Sequence, residues 1–283
     1  MYFAGKKMKI LISADIEGVS GVTHPDQINP GGTFYKETLN RWAAELNAII
    51  DGLNECSVNE IVILDSHNNM RNLDNALVPK ALVVSGWQRP YSMVSQIDKG
   101  YNACFFTGYH AMAGSRSTLS HTYRSKIFKQ VSINKVIVGE CGLNATLCGY
   151  FNVPVVFLSG DEEVCMEAQS LLGSQLVTVQ TKRGLSRYSA LSFPFEINLK
   201  NLKEGAIKAI KEKPKWKVFK MFKTPYTLNV DFYESNHADG AELIPNVKRV
   251  SNTGVEFTDN DYSVVFKCFL AMGALAASRD VVT

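Results

Sequence analysis

The sequence predicts an α/β protein: a largely parallel sheet flanked by helices, with a second, smaller α+β domain following it. Three observations carry that expectation. Short apolar, β-rich runs recur at residues 8–14, 60–64, 81–84, 103–107 and 153–158, continuous rather than alternating, as strands covered on both faces require. Helical periodicity occupies several of the gaps between them. The character of the chain then changes after about Ser192, so the expected division is a catalytic α/β domain over residues 1–190 and an α+β domain over 191–283.

Size and composition set the limits. A chain of 283 residues, 46% hydrophobic and 20% charged, is an ordinary globular sequence with enough apolar material for a sizeable core. Its formal net charge of +3 offers no general electrostatic reason to expect nucleic acid or an anionic membrane as partner. The longest strongly apolar stretches, at 153–158 and 268–277, are too short to cross a bilayer. Residues 1–7 lack the apolar centre of a secretory leader. The six cysteines (Cys56, Cys104, Cys141, Cys148, Cys165 and Cys268) form no CxxC pair, which suits a reducing compartment better than a disulfide framework. The expected location is cytoplasmic.

Along the chain, the strand at 8–14 ends at Asp15-Ile16-Glu17-Gly18. A Gly- and Pro-containing loop leads to a helix at about 35–56, where Leu39, Trp42, Ala43, Leu46, Ile49, Ile50 and Leu53 recur at three- and four-residue spacing. The strand at 60–64 ends at Asp65-Ser66-His67, and that at 103–107 at Gly108-Tyr109-His110. A hairpin is expected over 127–138, turning at Asn134-Lys135. An apolar helix opens at Glu140, a buried strand follows at 153–158, and a helix runs to about Leu172. Residues 200–223 hold nine lysines; a solvated helix and an electropositive channel lining are both open readings. Strands at 226–232, 248–250 and 254–257 and a helix at 262–278 complete the chain.

In open α/β sheets, ligands collect beyond the carboxyl ends of the strands. Three strands here end in metal-competent residues: Asp15 and Glu17, His67, and His110. Glu140 opens a helix nearby in sequence. Asp-x-Glu in extended chain places both carboxylates on one side, about 6–7 Å apart, a spacing that serves two metals with one carboxylate bridging. Three carboxylates and two imidazoles suit Zn²⁺, with Mn²⁺ or Co²⁺ able to substitute. Structural roles compete with each assignment. Asp-x-Glu-Gly is also a turn signal, Asp65-Ser66-His67 an Asx turn, and Glu140 a residue favoured by the helix dipole. What links them is that all fall at one edge of one sheet. His121, in the loop after His110, is placed to stabilise an oxyanion or move a proton. His24 and His237 read as surface or structural. Arg116, Arg124 and Arg187 are candidates to clamp a substrate carboxylate.

These motifs resemble the zinc-dependent D-aminopeptidase family encoded with bacterial dipeptide-transport genes. The similarity rests on Ser13-Ala14-Asp15-Ile16-Glu17-Gly18-Val19-Ser20-Gly21, Asp65-Ser66-His67, Gly108-Tyr109-His110-Ala111, Ser120-His121 and Gly139-Glu140-Cys141-Gly142-Leu143-Asn144-Ala145. It continues through Val230-Asp231-Phe232 and Ala241-Glu242-Leu243-Ile244-Pro245. It implies that Asp15 bridges two zinc ions per subunit, with Glu17, His67, His110 and Glu140 completing the centre and His121 acting directly in catalysis. It also implies a homo-oligomer, a decamer of two stacked pentamers. The expected activity is therefore removal of N-terminal residues, D-amino acids among them, from short peptides or amino-acid amides, with a hydroxide held between the metals as the economical nucleophile. A binuclear amidase or esterase for a non-peptide substrate, and a metal-binding scaffold without turnover, are the alternatives the same ligands allow.

Overall fold

The computed structural model describes residues 7–280, so nearly all of the N-terminal segment 1–7 lies outside the described residues. Seven strands form the first sheet: β1 (Lys9–Ala14), β2 (Glu60–Asp65), β3 (Leu82–Val84), β4 (Ala103–Tyr109), β7 (Val155–Asp161), β8 (Val177–Ser186) and β9 (Ser189–Ser192). Their order is β3-β2-β1-β4-β7-β8-β9. All neighbouring pairs are parallel except β8 and β9, which close the far edge as an antiparallel pair. The fold is α/β, as the continuous apolar runs predict.

The second sheet is antiparallel, ordered β11-β12-β10-β5-β6. It joins β5 (Phe128–Ile133) and β6 (Val136–Ile137) to β10 (Tyr226–Phe232), β11 (Lys248–Arg249) and β12 (Gly254–Asp259). A two-stranded hairpin is marginal alone in water, and β5 gains its second neighbour only by pairing with β10. Segments thus cross the expected division near residue 190 in both directions: β5 and β6 join the later strands, whereas α4 (Phe195–Lys211) packs on α1 (Tyr35–Glu55).

The first sheet separates two apolar cores. The pleat of β1 sends Ile10, Ile12 and Ala14 to one side, where they meet Trp42, Leu46, Ile49, Ile50 and Leu53 of α1 and Leu202 and Ala206 of α4. Leu11 points to the other side, with Leu64, Phe106 and Leu158. There the sheet meets α2 (Glu140–Tyr150), α3 (Glu162–Leu172), the second sheet and α6 (Tyr262–Ala277). Both faces of β1 are dry, so the strand shows no polar alternation. The short helix α5 (Ser235–Ala241) packs beside α6.

Within the single chain the lysines of α4 face solvent, which both readings of the lysine-rich stretch allow. α4 buries Leu202, Ala206, Ala209 and Ile210 and exposes Lys200, Lys208 and Lys211. Among the described residues no helix is long and apolar enough to cross a membrane, and the six cysteines are free.

Candidate metal centre

Parallel order puts the carboxyl ends of β2, β1 and β4 side by side, so the residues that leave them share one rim. Two glycines bring the loops still closer. The Gly18 amide donates to the Gly108 carbonyl at 2.8 Å, and a Cβ on Gly18 would lie 1.9 Å from the Tyr109 carbonyl oxygen. Gly108 has φ +65, and a Cβ there would sit 2.1 Å from the Asp15 carbonyl oxygen. Any side chain at either position would push the loop bearing Asp15 and Glu17 away from the strand end bearing His110.

Five side chains from four parts of the chain meet at this rim. Asp15 is central. Its Oδ1 lies 3.4 Å from His67 Nδ1, and its Oδ2 lies 3.5 Å from His110 Nε2. Glu17 Oε2 is 3.1 Å from the same His67 nitrogen, and Glu140 Oε1 is 3.5 Å from the same His110 nitrogen. The result is two ligand groups sharing Asp15: Asp15, Glu17 and His67 in one, and Asp15, His110 and Glu140 in the other. All five residues are buried. His121 approaches from the 111–127 loop, its Nε2 3.7 Å from Glu140 Oε1 and its ring stacked on His110 at 4.2 Å.

The outward ring nitrogens fix the tautomers. His67 Nε2 faces the Ile28 carbonyl at 2.9 Å, His110 Nδ1 the Ala111 carbonyl at 3.0 Å, and His121 Nδ1 the Leu119 carbonyl at 2.8 Å. A carbonyl only accepts, so in each neutral ring the outward nitrogen carries the proton and donates. The inward nitrogen then presents a lone pair to carboxylate oxygens. Lone pair against anion is repulsive unless a proton or a metal cation sits between them, and with a metal there the arrangement is that of metal-bound histidines.

Zinc satisfies this donor set. Two ligand atoms each about 2.0–2.2 Å from a tetrahedral Zn²⁺ lie roughly 3.4 Å from one another, close to the separations that surround Asp15. His110 Nε2 supplies an independent sign, being buried and without a hydrogen-bond partner among the described residues. Charge agrees. Burial pushes the Asp15 carboxyl well up, and Glu17 and Glu140 push it further. Burial also opposes charge on the His67 and His110 rings, yet Glu17, Glu140 and Asp15 hold both imidazoles well above their usual range. A pocket this rich in acidic oxygens draws positive charge, and a dication competes with protons for those same nitrogens. His121 goes the other way: burial and the neighbouring His110 lower it.

Several supporting residues carry no readable signal in the sequence. Lys182 is fully buried in β8, and its ammonium donates to the carbonyls of Glu17, Val19 and Val22. Glu45 accepts from the Ser20 amide at 2.9 Å, and Asn198 donates to Ser20 Oγ at 2.7 Å. Together they hold the loop that aims Glu17. The Tyr123 amide donates to Glu140 Oε1 at 2.6 Å. The other predicted residues divide by role. Asp65 faces away from the centre and accepts from the amides of Asn72 and Leu73, forming the turn that presents His67. His24 caps a short turn at the surface, and His237 is bound to Asp280 at 2.7 Å. Arg116 is exposed and lies off the cavity above the centre, whereas Arg124 and Arg187 line it.

A family model described as D-aminopeptidase, peptidase M55, matches residues 8–271. The chain belongs to that family. Among its relatives is the D-aminopeptidase of Bacillus subtilis (strain 168), 31% identical over 273 residues, which span 95% of this chain and 98% of that one. A solved structure, the zinc-dependent D-aminopeptidase DppA from Bacillus subtilis, a self-compartmentalizing protease, superposes with a TM-score of 0.91 at 30% identity. That match covers 95% of this chain and 98% of the other. Family membership extends through both sheets, since the matched residues include all but the last turns of α6.

Proposed function

We propose that this chain is a zinc-dependent D-aminopeptidase that removes N-terminal residues from short peptides or amino-acid amides. Its metal pair would be held by Asp15, Glu17, His67, His110 and Glu140. The observation that supports this best is the division of labour at Asp15, whose two oxygens face two different imidazoles, each accompanied by one glutamate. With Asp15 shared, three residues of this chain would hold each metal (Asp15, Glu17 and His67; Asp15, His110 and Glu140), a count that suits a catalytic rather than a structural site.

The metals, when bound, would supply Lewis acidity toward the scissile carbonyl and lower the pKa of the attacking water. The chain supplies the rest. Burial and the neighbouring His110 favour the neutral form of His121, and its Nε2 faces the centre, 3.7 Å from Glu140 Oε1, so it would take the proton of the attacking water there and return it to the departing amine. The Leu119 carbonyl holds that tautomer through Nδ1. The cavity of about 930 Å³ over the centre is large enough for a short peptide.

The zinc of the solved relative and its self-compartmentalizing assembly extend to this chain by the same proposal. A homo-oligomer, the decameric ring of two stacked pentamers that the resemblance implies, would use the α+β part of residues 191–283 as an interface. The free cysteines fit a cytoplasmic location.

The test is hydrolysis of D-Ala amide and L-Ala amide by zinc-loaded protein before and after chelation. D-Ala amide is expected to be the better substrate, with activity lost on chelation and regained on adding Zn²⁺. Hydrolysis that survives chelation contradicts the metal mechanism, and preference for L-Ala amide contradicts the stereochemical assignment.

A further inference from the structure

Resting on the aminopeptidase reading, we infer that Arg124 binds the free C-terminal carboxylate of the substrate, making the enzyme selective for short peptides with an uncapped C-terminus. The cavity is lined by both signs of charge: the carboxylates Asp15, Glu17 and Glu140 of the centre and Asp280, and the cations Arg89, Arg124, Lys126, Arg187 and Lys267. A peptide with both termini free carries both charges as well, so with its amine and scissile bond at the acidic centre its carboxylate calls for one of these cations.

Arg124 is the cavity's one arginine whose guanidinium donates no hydrogen bond among the described residues. Arg89 donates to the carbonyls of Val84 and Asp65. Arg187 donates to the Ser120 carbonyl at 2.6 Å. The Lys267 ammonium sits 5.2 Å from the centre of the Tyr91 ring. Among the described residues Arg124 has no side-chain acceptor and no carboxylate partner; its guanidinium carbon lies 5.9 Å from the centre of the Trp87 ring. The group is half-buried, and burial lowers its pKa, as expected of a cation stripped of water with no anion in return.

Position agrees with the role. Arg124 directly follows Tyr123, whose amide holds Glu140, so its Cα lies about 3.8 Å from a residue bound to the metal centre. Its stem runs past Gly273 of α6, where a Cβ would come within 3.4 Å of Arg124 Cδ. Arg124 thus sits one position from the residue that holds Glu140, with its stem passing close to α6 at Gly273. A planar guanidinium in that place can take a carboxylate in a bidentate manner, which an ammonium cannot. Each further residue moves the carboxylate by about 3.3–3.6 Å, so one fixed guanidinium selects for peptide length, and the inference applies to the shortest peptides.

The experiment compares D-alanyl-D-alanine with the same dipeptide capped as its C-terminal amide, using zinc-loaded wild-type protein. A charged hydrogen-bond pair predicts a KM lower by roughly tenfold to a hundredfold for the free carboxylate, with kcat less affected. Arg124→Gln should collapse that ratio and Arg124→Lys restore part of it, whereas Arg116→Gln, outside the cavity, should leave it intact. Equal handling of both dipeptides by the wild type overturns the inference and leaves the aminopeptidase reading standing; so does an unchanged ratio in Arg124→Gln. Failure to cleave either dipeptide, together with failure on D-Ala amide, overturns both. If Arg124→Gln does not fold, the wild-type comparison of capped and uncapped substrate decides alone.

Discussion

Asp15→Asn is expected to abolish amide hydrolysis, lowering kcat/KM by at least about a thousandfold, and to reduce zinc content to one equivalent or less. The magnitude follows from what a metal pair contributes to an acyl-transfer transition state, several kcal/mol, at roughly tenfold in rate per 1.36 kcal/mol. Asn keeps the shape of Asp15, so the loop geometry set by Gly18 and Gly108 should persist. What it loses is one of the two anionic oxygens that face His67 and His110. An amide nitrogen cannot ligate, so one of the two groups falls to two protein ligands. Kinetics and elemental analysis of the purified variant check both halves. Retention of two zinc ions would mean that Asp15 is not shared.

His121→Ala is expected to lower kcat by roughly a hundredfold to ten-thousandfold with metal content unchanged. His121 is not among the residues of the two groups that share Asp15, and it is the site imidazole that burial and His110 keep below its usual range. A neutral ring with an inward lone pair is suited to pass a proton between water and the leaving nitrogen. Because the His121 ring also stacks on His110, the two properties must be measured together. Loss of zinc alongside loss of activity would reassign His121 as a ligand, an option its proximity to Glu17 and His110 leaves physically reasonable.

Much of this centre is legible in the chain because topology does the gathering. Asp15, Glu17, His67 and His110 follow strands that their apolar runs identify, and a parallel sheet puts such ends on one rim. Glu140 is readable as the start of a helix that the structure begins at the same residue. The separation of Asp65 from His67 is not readable: the tripeptide fits both an Asx turn and a ligand, and the structure gives the turn to Asp65 and the centre to His67. Lys182 is hidden for a different reason. A lysine inside β8 interrupts the apolar pattern, and its three acceptors are more than a hundred residues away. The same polar content conceals β8 and β9, which the periodicity of residues 177–192 does not predict. Arg116, Arg124 and Arg187 look alike in sequence, and only burial and hydrogen bonding distinguish them. The second sheet was readable strand by strand but not as an assembly, since β5 finds β10 across nearly a hundred residues.

The centre itself is most directly tested by counting zinc in the wild-type chain after metal loading and removal of loosely bound ions. Asp15, placed between two imidazoles with a glutamate beside each, predicts two zinc ions per chain. A single ion, or none, would contradict it.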